Sequence, residues 1–274
     1  MTGFTEVGRE VYVLRYPVLD VNVTLVVGDG AAVLVDTLST DAQAGELRAA
    51  VRRVTGVPLR IVNTHHHFDH CFGNEVLSAE ASGIWGAEEA VRLLRERGAA
   101  LQRAWYAEWQ PTHPGLADGL AAVRIRPPDH VVHHESTVDC GGRTVMLRHL
   151  GRGHTAGDLV VNVPDADVLV AGDLVEESGP PMFGDGYPLE WPETLAALLG
   201  LLSPASAVVP GHGAVVGAEF VRAQHAELTA LDWLIRDGHL DGAPVEHVVA
   251  KAPYPPEIAT VAVRRGYAEL AGRA

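Results

Sequence analysis

The sequence is poor in cysteine and in lysine. Its 274 residues include two cysteines, Cys71 and Cys140, and a single lysine, Lys251. Two cysteines cannot form a disulfide framework, so the fold must be stabilised by an apolar core. Any binding of anions by basic side chains would fall mainly to arginine.

Long apolar segments are lacking as well. No run of apolar residues is long enough to cross a bilayer, and residues 1–6 do not place a basic stretch before an apolar one. We therefore expect a cytoplasmic protein that does not bind membranes.

Positive charge is in deficit. Acidic residues number 35 and basic residues 21, which gives a formal net charge of −14. Because an acidic surface repels phosphate backbones, we expect no nucleic-acid partner.

Histidine, in contrast, is concentrated in Thr64-His65-His66-His67-Phe68-Asp69-His70. The apolar run before it, residues 59–63, predicts a buried strand. Successive side chains of an extended chain point to opposite sides, so His65, His67 and Asp69 would share one side. The chain would then have to turn at His70 to bring in a fourth ligand. This spacing indicates a metal site rather than a histidine-rich surface loop.

The strand pattern occurs twice. Residues 33–36 follow a hairpin signal and resemble residues 168–173, and a helix and a short apolar strand come after each. Two β-rich halves with helices on their outer faces predict an α/β (α+β) fold, a four-layer αββα sandwich. We expect one domain over residues 1–274, with a helical C-terminal portion from about residue 217.

The middle of the chain is less regular. Residues 87–109 predict a helix that is interrupted near Gly98. Residues 110–128 predict a loop with at most one helical turn, and loops of that length are often functional.

Three more ligand candidates follow the histidine segment: Gly153-His154-Thr155, Gly172-Asp173 and Gly211-His212. Glycine beside each candidate lets the backbone approach a ligand closely. Together with His65-x-His67-x-Asp69-His70, these motifs resemble the metallo-β-lactamase-fold hydrolase superfamily, in its binuclear form. The resemblance spans residues 64–213 and implies the same αββα fold. Ala156 departs from the pattern of this superfamily, in which many members carry proline at that position.

The resemblance implies two metal sites. His65, His67 and His154 would hold the first metal. Asp69, His70 and His212 would hold the second metal, and Asp173 would bridge the two. Two zinc ions are expected, with iron or manganese as alternatives, because imidazole and carboxylate ligands suit all three.

The activity implied by the resemblance is hydrolysis of a thioester, ester, lactone or amide of a small-molecule substrate. Two adjacent metals can bridge a water and lower its pKa from about 15.7 toward about 7, and the hydroxide then attacks a carbonyl. Asp69 would be the catalytic residue that orients the hydroxide and relays its proton. Asp36 and Asp158 are candidates to fix histidine tautomers, with plain turn or capping roles as the alternative. The pattern assigns no metal to His66 or Cys71.

Aromatic residues offer a hypothesis for the substrate. Phe183, Tyr187 and Trp191 could form an apolar wall over the metals, with Trp105 and Trp109 opposite. The alternative is that these side chains belong to the core. A wall of this kind would favour a hydrophobic or aromatic acyl substrate.

Several activities stay open. A cyclase-thioesterase for aromatic polyketide-type acyl groups, a glyoxalase II-like thioesterase and a β-lactamase all share the ligand set. A glutathione substrate is disfavoured because Gly213 follows His212 where such enzymes usually carry tyrosine. A mono-iron sulfur dioxygenase and a non-catalytic metal-binding module are less favoured, because the ligand set is intact. The C-terminal helices are also available for a homodimer.

Overall fold

A computed structural model of the chain describes residues 3–272. Its strands are β1 (Thr5–Gly8), β2 (Val11–Tyr16), β3 (Val21–Val27), β4 (Ala32–Val35), β5 (Leu59–Val62), β6 (Ala81–Ala87), β7 (His130–Val132), β8 (Glu135–Asp139), β9 (Thr144–Arg148), β10 (Val160–Val163), β11 (Val168–Glu176), β12 (Ala207–His212) and β13 (Val216–Gly217). Its α-helices are α1 (Asp41–Val54), α2 (Phe68–Cys71), α3 (Asn74–Leu77), α4 (Glu88–Trp109), α5 (Pro114–Ala122), α6 (Trp191–Leu199), α7 (Ala218–Leu240), α8 (Val245–Val249) and α9 (Pro256–Leu270). Short 3-10 turns cover Ser78–Glu80 and Pro164–Ala166.

The strands form two halves that meet at one point. Hydrogen bonding connects them in the order β7-β6-β5-β4-β3-β12-β11-β10-β9-β8, with β2 beside β3 and β13 beside β12. Within the described residues, β3 and β12 are joined through a single pair, Val21 and His212. The N-terminal and C-terminal halves can therefore fold over one another at this junction.

Three apolar clusters produce the layers. Val33 and Val161, from opposite halves, share a buried cluster between the two sheet halves. Leu47 of α1 packs on the outer face of the N-terminal half. Leu195 of α6 and Leu231 of α7 pack on the outer face of the C-terminal half. Because each half buries both faces in this way, the predicted αββα sandwich is confirmed.

Two local predictions were wrong. Helix α4 continues through Gly98, where a Cβ would lie 3.2 Å from Ile125 Cδ1, so this glycine permits close packing and does not end the helix. Residues 110–128 contain the nine-residue helix α5. Pro114 starts it, and proline is well tolerated there because the first N–H of a helix has no intrahelical partner.

The directions of the strands bring several strand ends to one edge of the sheets. Strands β4, β5 and β6 run parallel to one another, and β11 runs parallel to β12. The segments that follow β4, β5 and β12 therefore lie at the same edge. Polar side chains from these segments can converge there. Among residues 3–272, no helix has the length and apolarity that crossing a membrane requires.

Trp191 at the start of α6 tests the C-terminal core. Its side chain is 0% exposed, and its indole nitrogen donates to the Leu174 carbonyl at 3.2 Å. We expect Trp191→Ala to lower the free energy of unfolding by about 3–5 kcal/mol, because it removes a large buried side chain. The measurement is urea unfolding followed by circular dichroism.

Trp233→Ala is the matched control, since Trp233 is 70% exposed. It should change the unfolding free energy by no more than about 0.5 kcal/mol. Equal effects of the two substitutions would contradict this description of the core.

Candidate metal centre

Histidine and aspartate side chains from four chain segments converge at the edge where β4, β5 and β12 end. His65 and His67 leave β5, His154 precedes β10, and Asp173 lies within β11. One ligand atom from each of these four side chains lies within 4.8 Å of the others. Asp69, His70 and His212 form an adjoining group by the same measure.

The first group surrounds a point between three imidazoles and a carboxylate. His154 Nε2 lies 3.0 Å from His67 Nδ1 and 3.4 Å from Asp173 Oδ2. His65 Nε2 lies 3.5 Å from the same Asp173 oxygen. Ligands at 2.0–2.1 Å from a tetrahedral zinc are roughly 3.3 Å apart, so the spacing of these donor atoms suits that ion.

The second group shares Asp173 with the first. His70 Nε2 lies 3.1 Å from Asp173 Oδ1, and His212 Nε2 lies 3.4 Å from Asp173 Oδ2. The two imidazole nitrogens are 3.4 Å apart, and Asp69 Oδ2 is 3.4 Å from that of His212. Asp173 therefore contacts both donor groups.

Backbone irregularities give Asp173 this position. The pairing of β11 with β12 shifts register around Gly172, which has a φ of +55°. A bulge of this kind re-aims the following side chain, and glycine adopts a positive φ without steric cost. Gly211 is needed opposite, because a Cβ there would lie 1.7 Å from Asp173 Oδ1.

Hydrogen bonds outside the centre determine which nitrogen of each histidine faces inward. His70 Nδ1 donates to Asp36 at 2.8 Å, and His212 Nδ1 donates to the Leu19 carbonyl at 2.7 Å. The Thr64 hydroxyl donates to Asp36 at 2.7 Å, so it accepts from His65 Nδ1 at 3.1 Å. Each of these three rings thus turns its Nε2 toward the centre.

His67 faces the centre with its other ring nitrogen, Nδ1. Its Nε2 donates to Asp185 at 3.1 Å, which leaves Nδ1 facing His154. His154 Nδ1 is buried and has no hydrogen-bond partner in the described part of the chain, so either a proton or a metal ion can lie between the two facing nitrogens. His65 Nε2 and Asp173 Oδ1 are buried and form no hydrogen bond in the described part of the chain. These observations show that the donor set fits bound metal ions.

Burial and the neighbouring carboxylates shift the pKa values of the site histidines in opposite directions. Burial lowers the pKa of His65 well below its ordinary value and that of His154 to about 4, which favours the neutral imidazole that a metal needs. Burial opposes ionisation of Asp173, but the imidazoles around it hold its pKa well below the usual range. Asp173, Asp69 and Asp36 outweigh burial and raise the pKa of His70. The negative charge of this cluster therefore attracts a cation.

Asp36 and Asp158 have different roles. Asp36 accepts from both His70 and Thr64, in a strained backbone conformation with φ of +67°. The Asp158 carboxylate accepts from the Thr155 amide and hydroxyl, so it stabilises the turn after His154 and does not orient the imidazole of a predicted ligand. Asp36 is therefore placed to fix the tautomer of a histidine, whereas Asp158 has the role of a turn residue.

The histidine segment bends earlier than expected. Helix α2 begins at Phe68, with His67 as its N-cap, so Asp69 and His70 reach the centre from a helical turn and not from an extended chain. Cys71 lies in an apolar cluster, and its thiol donates to the His66 carbonyl at 3.2 Å. Neither fact changes the set of predicted ligands.

The expected aromatic wall needs correction. Phe183 and Trp191 are 1% and 0% exposed and belong to the C-terminal core. Tyr187 packs beneath the Arg152 guanidinium, 4.2 Å from the ring centroid. Because Phe183 and Trp191 pack into the core and Tyr187 packs against Arg152, these three residues do not line the cavity above the centre. Trp105 and Trp109 do line it, and their contact with a substrate stays a prediction.

The sequence analysis did not identify two acidic residues of the site. Asp185 contacts His67 and lies 3.3 Å from His66 Nε2, although nothing in its glycine-rich segment signals this. Glu176, three residues after Asp173, is buried beside Asp173 and His212. Burial and Asp173 raise the pKa of Glu176 well above its ordinary value. An acid at the end of an otherwise apolar strand was the signal available for Glu176.

Comparisons with known proteins agree with this geometry. A sequence model of the metallo-beta-lactamase superfamily matches residues 16–212. The chain is 27% identical over 207 residues to the metallo-beta-lactamase type 2 of Bacteroides fragilis, covering 73% of this chain and 72% of that protein. It is 26% identical over 126 residues to the hydroxyacylglutathione hydrolase of Erythrobacter litoralis, which is 42% of this chain and 50% of that relative.

A solved metallo-beta-lactamase from Pontibacter korlensis superposes with a TM-score of 0.66 at 21% identity, covering 84% of this chain and 99% of the other. That likeness supports the fold alone. The family model spans all seven predicted ligands, from His65 to His212, and more than half of the chain. The chain therefore belongs to the metallo-β-lactamase superfamily.

Proposed function

We propose that this chain is a hydrolase that uses two zinc ions to cleave the acyl bond of a small-molecule thioester, ester, lactone or amide. The observation that carries this proposal is the pair of donor groups joined by Asp173 at a cavity of about 550 Å³. One relative is named as a β-lactamase and another as a hydrolase of hydroxyacylglutathione, which supports an acyl bond as the target.

The first group, His65, His67, His154 and Asp173, would hold one ion, and Asp69, His70, His212 and Asp173 would hold the other. Bound zinc supplies a strong nucleophile from water at neutral pH and polarises a carbonyl. Asp69 also lines the cavity, where its carboxylate can accept the proton of the attacking water and pass it to the leaving group.

Asp185 acts through His67. Its carboxylate accepts from His67 Nε2 and so keeps Nδ1 unprotonated toward the first group. The segment that carries it is fixed by Arg265 of α9, which donates to the Gly184 carbonyl at 3.0 Å and to the Gly186 carbonyl. A helix outside the span of the family model thus supports a predicted metal ligand.

A cyclase-thioesterase for an aromatic polyketide-type acyl group is the second candidate. Trp105 and Trp109 line the cavity beside Phe68, with ring centroids 5.4 and 6.0 Å from it. Such a surface suits a flat apolar acyl chain. A β-lactamase is a third candidate, because the metallo-beta-lactamase type 2 of Bacteroides fragilis aligns with most of this chain.

The deciding experiment combines metal analysis with a panel of acyl substrates. We expect about two zinc ions per chain, loss of hydrolysis after chelation and recovery on adding zinc. Two bound metals without turnover would favour a non-catalytic module. One iron with oxygen consumption would favour a sulfur dioxygenase.

Asp69→Asn and His154→Ala test the assigned roles. Each should lower kcat/KM by about 10²–10⁴-fold, since one removes the proton acceptor and the other a ligand. Steady-state kinetics at fixed zinc, with circular dichroism to verify folding, provides the measurement. Asp118→Asn and His113→Ala are matched controls, because both residues are exposed and lie outside the centre. Wild-type rates in either test variant would refute these assignments.

Asp185→Asn tests support of His67. Zinc should bind about 10–100-fold more weakly at one of the two sites, because an amide cannot replace the charged acceptor. Competition with a chromogenic chelator measures this affinity without any assay of activity. Arg265→Met should weaken the same site to a lesser degree, while Asp118→Asn again serves as the control. Unchanged zinc affinity in Asp185→Asn would rule out the positioning role.

A further inference from the structure

The two halves of α4 differ in what encloses their apolar side chains. The buried residues of this helix end at Gly98, and none follows in residues 99–109. The second half nevertheless carries Leu101, Trp105 and Trp109, which recur every four residues and so form a stripe on one face. All three are partly buried, and all three line the cavity above the centre. Large apolar side chains that no core encloses mark a surface for a ligand or a partner.

The rest of the fold holds this stripe in place from behind. The Gln102 side-chain amide donates to the Leu120 carbonyl at 2.7 Å, which connects α4 to α5. Phe68 and Phe72 pack against the Trp105 indole, with ring centroids 5.4 and 5.5 Å away from it. A surface that is already ordered binds a ligand without the entropic cost of fixing its side chains. The stripe is therefore a preformed wall of the cavity.

Trp105 is the member of the stripe that adjoins the centre. Its indole and the His67 imidazole meet edge to face, with ring centroids 5.9 Å apart, and His67 belongs to the first donor group. Asp69, which passes a proton to the leaving group in the function proposed above, belongs to the second donor group and lies beside His212. The part of the substrate next to Trp105 is therefore the acyl group and not the leaving group.

A second chain segment adds an apolar side chain to the same cavity. Met182, in the segment after β11, lines the cavity and is 51% exposed. Methionine adapts its shape to apolar ligands and packs favourably on aromatic rings. Apart from Glu108, which is exposed, the ionisable lining residues all belong to the clusters of histidine and carboxylate side chains at the centre. The cavity thus combines a polar region at the centre with an apolar region along α4.

We propose, on the basis of the hydrolase function above, that the C-terminal half of α4 is the acyl-binding wall of this enzyme. Trp105 is the specificity-determining residue, because it connects the stripe to the first donor group. The substrates are acyl compounds whose acyl group carries an apolar body of at least the size of one aromatic ring. Removal of that body from water supplies the preference, so short acyl groups such as acetyl are poor substrates.

The test uses the zinc-loaded full chain and uncharged thioesters of N-acetylcysteamine, a small leaving group without a ring. Acetyl and phenylacetyl thioesters test the size of the acyl group. Cyclohexylacetyl and tetrahydropyran-4-ylacetyl thioesters have nearly the same shape and differ in polarity. A chromogenic thiol reagent follows the reaction, and each kcat/KM is divided by the rate constant for hydrolysis of the same thioester by hydroxide. We expect a preference of about tenfold or more for phenylacetyl over acetyl, and of about fivefold for cyclohexylacetyl over its polar counterpart.

Substitutions on the same helix assign the preference to Trp105. Trp105→Ala should reduce the phenylacetyl-to-acetyl ratio about tenfold, chiefly through a higher KM for the phenylacetyl thioester, and should retain two zinc ions. Trp105→Phe keeps a ring and should restore most of the ratio, which separates loss of the contact from loss of the fold. Tyr106→Ala is the matched control, because Tyr106 is 36% exposed and does not line the cavity. Its ratio should equal that of the wild type.

A binding measurement without turnover makes the result independent of the hydrolase function. Phenylacetate and acetate share a carboxylate that can contact the metal ions, and they differ in the ring. Isothermal titration calorimetry of the zinc-loaded chain should give a Kd about tenfold lower for phenylacetate. Trp105→Ala should remove most of this difference.

The outcomes separate the two proposals. Equal values for the acetyl and phenylacetyl thioesters, or for the cyclohexylacetyl pair, would overturn the acyl-binding wall while the hydrolase function stood. An unchanged ratio in folded Trp105→Ala would overturn the role of Trp105. Preference for the ring of S-benzyl thioacetate without preference for the phenylacetyl thioester would assign the wall to the leaving group and overturn the proposal.

Failure of the hydrolase function has a different signature. No hydrolysis of these compounds or of the matching methyl esters by the two-zinc protein would overturn that function. Tighter binding of phenylacetate that depends on Trp105 would then still support α4 as the wall that binds an apolar group, and equal binding of the two carboxylates would overturn it.

Discussion

The whole site depends on one buried carboxylate. Asp173 is 5% exposed and lies within 3.5 Å of an imidazole nitrogen from each of four histidines. Burying so many polar atoms is costly unless they are paired, and cations between them supply that pairing. Rigid strands on both sides are therefore required, because the ligand atoms must stay close without binding one another.

The scaffold meets this requirement by joining its two halves at the site itself. His212 is both a predicted ligand and the partner of Val21, the one pair that links β3 to β12 among the described residues. Asn22 reinforces the junction by donating to the carbonyls of Pro210 and Gly213 at 3.0 and 2.9 Å. The centre thus lies where the N-terminal and C-terminal halves meet, so their relative placement sets the distance between donor groups.

The surroundings of the centre divide into two functional parts. On one side, Asp36 and Thr64 orient ligands and are fully enclosed by the scaffold. On the other side, Glu176 reaches the cavity from the end of β11, and Asp185 reaches it from the segment that follows. The proposal on metal affinity concerns this second side, where Asp185 accepts a hydrogen bond from His67.

The sequence by itself determined the four-layer fold and grouped the seven predicted ligands, because strand periodicity, glycine positions and the histidine spacing are local signals. It also indicated Asp36, which ends a strand. Only the tertiary structure decided that Phe183 and Trp191 are core residues, since an aromatic side chain fits a core and a cavity wall equally well. The contacts of Asp185 and of Arg265 were decided there too, because they join positions 118 and 79 residues from their partners. Contacts of that range arise from packing of the whole chain, and no local pattern encodes them.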